Sequence, residues 1–230
     1  MIIGSGLLAK AFTVRLPPKA DWWIYAAGVS NSGCNDRDEF MREHARLSDA
    51  IRAGAHADAF VYFSTCSVMD PNARNSTYVR HKLDMERLTS GHPRFIVVSL
   101  PQIAGTTSNP HTLLNYLYAR VSRSEKFVIW KNATRNIIDV DDVSSIVFQV
   151  LKDSRMRRLA INVANPISHP IAEIVAMMER TTGKAAITEE IDAGAAYAID
   201  TSRIRPIAAK LGLSFDSAYV SRAMQKYYGP

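Results

Sequence analysis

The chain alternates short apolar runs with longer stretches of helical periodicity. Met1-Ile2-Ile3, Trp22 to Tyr25, Phe60 to Phe63, Phe95 to Leu100 and Leu159 to Val163 are rich in β-branched or aromatic residues and too short for helices, which predicts buried strands. Phe127 to Trp130 and Asn136 to Asp139 predict two further short strands. The first helix runs from the Gly4-Ser5-Gly6 turn to about Arg15, where Pro17-Pro18 stops it. A second helix spans 36–53, with Phe40, Leu47 and Ile51 on one face and His44 expected there as a core or interface histidine. Helical patterns then cover Tyr78 to near Gly91, Thr112 to Ser122, Asp141 to about Leu151 and Ile171 to Thr182, and the tail after Asp200 is mostly helical. Asp141 and Asp142 read as a helix start, capping the first turn and complementing its dipole. Strands alternating with helices predict an α/β fold with a parallel sheet and helices on both faces.

Composition narrows the function classes. At 230 residues and 47% hydrophobic, the chain suffices for one domain with a real core. No apolar run approaches a membrane span, and Cys34 and Cys66 suggest no disulfide framework, so a cytoplasmic protein is expected. The six histidines form no metal-binding spacing. The formal charge of +6 is spread along the chain, with one local cluster at Lys152, Arg155, Arg157 and Arg158 read as a solvated surface. A basic face with aromatic interleaving is missing, which argues against nucleic acid; a small anionic ligand is compatible.

Candidate chemistry concentrates between Phe60 and Glu86. The strand ends in Ser64-Thr65-Cys66-Ser67, and Tyr78 and Lys82 follow one helical turn apart. That i,i+4 spacing places the two side chains on one helix face. A free tyrosine titrates near ~10, and an adjacent ammonium is expected to lower that value. Cys66 is read as a small buried residue beside this site rather than a reactive thiol. Gly4-Ser5-Gly6-Leu7-Leu8-Ala9 fits a G-x-G-x-x-[GA] turn, where glycine permits a close backbone approach and a helix N-terminus can receive a phosphate.

Taken in order, these segments resemble the extended short-chain dehydrogenase/reductase superfamily, of the NAD-dependent epimerase/dehydratase type that acts on nucleotide sugars. The resemblance implies a truncated Rossmann-like core over about 1–104 and 139–165, and a small substrate lobe, largely C-terminal, over about 105–138 and 166–230. It implies catalytic roles for Thr65, Tyr78 and Lys82. It assigns NAD or NADP to Gly4, Gly6, Leu7, Leu8, Ala26, Ala27, Gly28, Tyr78, Lys82, Pro101 and Ile103, and the substrate to Thr65, Gln102 and Arg135. Arg135 enters because Arg135 to Val143 is similar to a family segment whose arginine often contacts the substrate's diphosphate. A homodimer through the 36–53 helix and the Tyr78 helix is implied as well, with Phe40 and Leu47 serving either that interface or the core.

The departures from the family are informative. Only residues 7–25 separate Gly6 from Ala26, enough for one helix and a linker. The second and third strands of the dinucleotide fold are therefore expected to be absent, with the acidic residue that would hold the adenosine ribose. A right-handed crossover would then move the first helix to the other sheet face; the alternatives are a left-handed crossover or a covering subunit. Cys66-Ser67 replace an Asp-Glu pair of the family's dehydratases, and Gln102 replaces a frequent Asn. The reading these features imply is a keto-sugar reductase. The alternatives are an epimerase, or a non-catalytic nucleotide-sugar-binding protein that has lost dinucleotide binding.

Overall fold

The fold grows from β3 (Ala59–Thr65), every residue of which is buried. A computed structural model describes residues 1–17 and 20–230. In chain order the remaining elements of the first half are β1 (Ile2–Ile3), α1 (Leu7–Thr13), β2 (Trp22–Tyr25), α2 (Arg37–Ala53), α3 (Thr77–Ser90), β4 (Phe95–Leu100) and β5 (Gln102–Ala104). The second half holds α4 (Leu113–Ser122), β6 (Phe127–Trp130), β7 (Thr134–Asp139), α5 (Val140–Lys152) and β8 (Leu159–Asn162). It closes with β9 (Ser168–Pro170), α6 (Ile171–Thr182), β10 (Thr188–Ile191), α7 (Arg205–Lys210) and α8 (Tyr219–Tyr228). The predicted Pro17-Pro18 stop includes Pro18, which lies outside the described residues; α1 itself ends at Thr13.

Five strands form a parallel sheet in the order β1-β2-β3-β4-β8. Because β3 is covered on both sides, its alternate residues feed two cores. Phe60 and Tyr62 pack with Tyr25, Leu47, Ala50 and Met85 under α2 and α3. Val61 and Phe63 face the larger core with Phe12 of α1 and Val143, Val147 and Phe148 of α5. Leu47 is thus a core residue, and Phe40 stacks on His81 with ring centroids 4.4 Å apart. His44 is exposed, contrary to expectation; its neighbour Glu43 takes the inward position, three residues from Phe40 and four from Leu47.

The sheet has the predicted deletion. β1 pairs directly with β2, Ile2 opposite Ile24 and Ile3 opposite Tyr25, and β1 is the sheet edge. The displaced-helix expectation is resolved by packing. Phe12 of α1 lies 5.4 Å from Phe63 and 5.3 Å from Phe148, so α1 shares a face with α5, opposite α2 and α3. The crossovers β1-α1-β2 and β2-α2-β3 step in the same direction across the sheet on opposite faces, so they have opposite hands. Parallel crossovers are right-handed in about 98% of cases, and the exception here follows from keeping Phe12 in the larger core.

The remaining elements build against the sheet's end as the small sheets β5-β7-β9 and β6-β10 with α4, α6 and α8. The α5 cap is Asp139, whose carboxylate accepts the Asp141 N–H at 2.8 Å; Asp141 and Asp142 stand in the first turn rather than at the cap. They also bind α8: Lys226 donates to Asp139 at 2.9 Å and Asp141 at 2.7 Å, and the Tyr219 hydroxyl donates to Asp142 at 2.6 Å.

If Phe12 anchors the reversed crossover, Phe12→Ala is expected to cost about 3–5 kcal/mol in chemical denaturation. The exposed Val14→Ala control should stay within about 0.5 kcal/mol.

Candidate functional site

The C-terminal ends of parallel strands point one way, so their loops converge. Here the β1–α1 turn, the ends of β2 and β3, the start of α3 and the β4–β5 junction surround one cavity of about 430 Å³. Every sequence-predicted site residue except Arg135 lines it, from Gly4 and Gly6 through Ala26, Ala27 and Gly28 to Thr65, Tyr78, Lys82 and Ile103. Arg135 lies apart on β7, opposite His169, with its guanidinium 3.8 Å from Asp70 and donating to the Thr134 carbonyl at 2.8 Å.

Local sequence explains the walls. Gly4 has φ +128°, and a Cβ there would come within 2.3 Å of the Ala26 carbonyl oxygen, so only glycine lets the turn close onto β2. A Cβ on Gly6 would meet nothing within 4 Å, leaving that wall open to a ligand. The α1 helix has only seven residues, and Gly6 offers no side-chain cap. Ser76 caps α3 by accepting the Val79 N–H at 3.2 Å, which starts the helix just before Tyr78. Thr65, at the end of β3, accepts the Ser67 N–H at 3.0 Å.

Beneath Gly28 lies a buried charge cluster that the motifs did not reveal. Glu43, 3% exposed, accepts hydrogen bonds from the Val29 N–H at 2.6 Å and the Tyr62 hydroxyl at 2.8 Å. It also contacts His81 Nε2 at 2.9 Å and the Lys82 ammonium at 3.4 Å. Burial alone would raise the Glu43 carboxyl, but the His81 hydrogen bond, the Lys82 charge, the Val29 N–H and the Tyr62 hydroxyl outweigh it and hold it at about 2. Lys82 also lies 4.8 Å from the Tyr62 ring centroid. Burial lowers the Lys82 pKa while Glu43 and then Glu86 oppose that shift. Glu86, one turn further along α3, is itself raised by burial and accepts a hydrogen bond from the Ser64 hydroxyl.

This cluster corrects the expected tyrosine chemistry. Burial pushes Tyr78 up to about 12; the Thr65 hydroxyl opposes the rise and the Glu43 charge adds to it. The Lys82 ammonium contacts the Glu43 carboxylate at 3.4 Å, and the Tyr78 hydroxyl is shifted away from ionisation rather than toward it. Cys66 is fully buried, and burial followed by the Glu86 charge raises its thiol to about 12, matching the inert reading. Glu43, His81 and Glu86 were missed because none belongs to a motif. The available signal was the helix face: Phe40, Glu43 and Leu47 share one stripe, and a carboxylate there needs partners.

Residues 8–164 match the model of the NAD dependent epimerase/dehydratase family, and the chain belongs to that family. No curated protein matches it by sequence. Among solved structures, UDP-glucuronic acid 4-epimerase from Bacillus cereus, in complex with UDP-glucuronic acid and NAD, superposes with a TM-score of 0.74 at 18% identity, over 90% of this chain and 74% of that one. GDP-mannoheptose C4 reductase from Campylobacter jejuni, with NADP bound, gives 0.74 at 14% identity, over 99% and 96%. dTDP-glucose 4,6-dehydratase from Bacillus anthracis, in complex with NAD, gives 0.69 at 17% identity, over 90% and 71%.

The Glu43 carboxyl titrates at about 2 against an ordinary 4.5, so its contribution to stability is complete above about 4.5 and is lost as pH falls toward 2. Denaturation midpoints are expected to fall across that window, and Glu43→Gln should flatten that part of the acid dependence. An equally steep profile in the variant would contradict the assignment.

Proposed function

We propose that this family member is a nicotinamide-dependent reductase of a keto-sugar carried on a nucleotide. The observation that carries the reading is the Tyr78 hydroxyl beside Thr65 at the strand ends, in the cavity that the Gly4–Gly6 turn also walls. A dinucleotide would contact Gly4, Gly6, Leu7 and Leu8 at one end and Ala26, Ala27, Gly28, Pro101 and Ile103 at the other. Gly6 leaves room for a close approach, so the pyrophosphate and nicotinamide side fits. When bound, the reduced nicotinamide supplies a hydride to the carbonyl carbon. Thr65 holds the carbonyl oxygen by a hydrogen bond, Tyr78 gives it a proton, and the sugar leaves as an alcohol. Lys82 fixes the floor of the site, and Gln102 contacts the sugar. Arg135 would meet the diphosphate only beyond the cavity wall, in the region of residues 105–138 and 166–230 that we assign to the substrate.

The adenosine side is weaker. The sheet stops at β1, and among the described residues no carboxylate lines the cavity. Losing a charge-assisted ribose contact costs ~1.5–3 kcal/mol, or roughly 10–150-fold in affinity. Arg46 of α2 is an exposed cation on the cavity wall, and the cofactor is NAD or NADP. An epimerase must first take a proton from a sugar hydroxyl and keep its oxidised cofactor, and the upward shift of Tyr78 and the shortened sheet edge disfavour that. The same edge supports the second reading, a nucleotide-sugar-binding protein without redox activity. A homodimer would use the outer faces of α2 and α3.

Tyr78→Phe is expected to lower kcat by at least ~10²-fold with an unchanged melting transition. Unchanged turnover would remove Tyr78 from the mechanism. In thermal-shift titrations, NADH or NADPH should stabilise the protein along with a nucleotide sugar. Stabilisation by the sugar nucleotide alone would favour the binding-protein reading.

A further inference from the structure

The motif residues account for Tyr78 and Lys82, but the carboxylate under them has no assigned role. Four groups converge on Glu43 from three directions: the Val29 N–H beyond β2, the Tyr62 hydroxyl on β3, and His81 and Lys82 on α3. A Cβ on Gly28 would fall 2.8 Å from both the Glu43 carboxylate and the Lys82 ammonium. Glycine at 28 therefore lets the ion pair lie directly under the cavity floor. Glu86, half-buried one turn beyond Lys82, adds a second carboxylate whose charge also acts on that ammonium.

Resting on the reductase reading above, we propose that Glu43 is a positioning residue that fixes the Lys82 ammonium beneath Gly28 and neutralises it, committing the Tyr78 hydroxyl to donating a proton. An unpaired ammonium in this pocket would favour the tyrosinate and suit the site to removing protons. With Glu43 in place, the Lys82 ammonium, one turn along α3 from Tyr78, is paired with a buried carboxylate at 3.4 Å. The other charged or titratable groups facing this cluster are Tyr25 of β2, Tyr62 of β3, Arg46 of α2, His81 and Glu86 of α3, Cys66 after β3, and His111 on the cavity wall. Arg46 is the remaining arginine among them, and it is exposed.

The test is ionisation of Tyr78 in the protein without cofactor or substrate, followed by NMR of tyrosine labelled with ¹³C at Cζ. The resonance lost in Tyr78→Phe identifies it. In Glu43→Gln the onset of Tyr78 ionisation is expected at least ~1 pH unit below that of the wild type. Glu43→Gln/Lys82→Met removes both charges; it should fold even where the single variant does not, and return the onset to the wild-type position. An unmoved onset in folded Glu43→Gln overturns the proposal. So does a double variant whose onset stays lowered, or one no more stable than a single variant that fails to fold. These readouts need no turnover, so an inactive protein would defeat the reductase reading while leaving the Glu43 assignment to stand or fall on the titration.

Discussion

A carboxylate and an ammonium buried together under a glycine constrain much of this structure. Moving either ion out of water costs several kcal/mol, and that cost is offset only when every remaining lone pair and proton is satisfied. The surroundings of Glu43 meet that condition through a backbone N–H, a phenol, an imidazole and Lys82. Meeting it fixes α2 against α3, sets Gly28 where a larger residue would collide, and draws Tyr62 into a polar role inside an apolar strand. Burial is the largest influence on the Tyr78 hydroxyl above the pair; the Thr65 hydrogen bond opposes it and the Glu43 charge adds to it.

The second constraint is the shortened sheet edge. With β1 paired directly to β2, α1 could have followed the usual right-handed crossover onto the α2 face. That face is already filled by α2 and α3 over Tyr25, Phe60 and Tyr62, whereas the opposite core has a place for Phe12 between Phe63 and Phe148. Packing decided the hand. The resulting cavity is walled by Thr65, Tyr78 and the Gly4–Gly6 turn, and that turn follows the edge strand β1.

Strand and helix positions were legible because apolar periodicity carries them, and the cavity residues because Gly4, Thr65, Tyr78 and Lys82 sit at fixed offsets from strand ends. The missing strands were legible from the interval between Gly6 and Ala26 alone. The hand of the first crossover was not, since both hands share one hydrophobic pattern. Glu43 escaped because a glutamate in a helix reads as solvent-exposed, and His44 beside it drew attention to the wrong position. Its stripe with Phe40 and Leu47 held the information, but its partners come from Val29, Tyr62 and α3, which only the fold brings near. Arg135 shows what a motif leaves out: its match gave no sign that the fold would set the side chain on β7 beside Asp70, outside the cavity lining.

The most direct test of the account is single-turnover reaction with NADH and NADPH carrying deuterium at both nicotinamide C4 positions, offered with nucleotide-linked keto-sugars and followed by mass spectrometry. The account predicts one deuterium gained by the sugar for each cofactor oxidised. Sugar inverted without deuterium, or cofactor left reduced by every nucleotide keto-sugar offered, would contradict it.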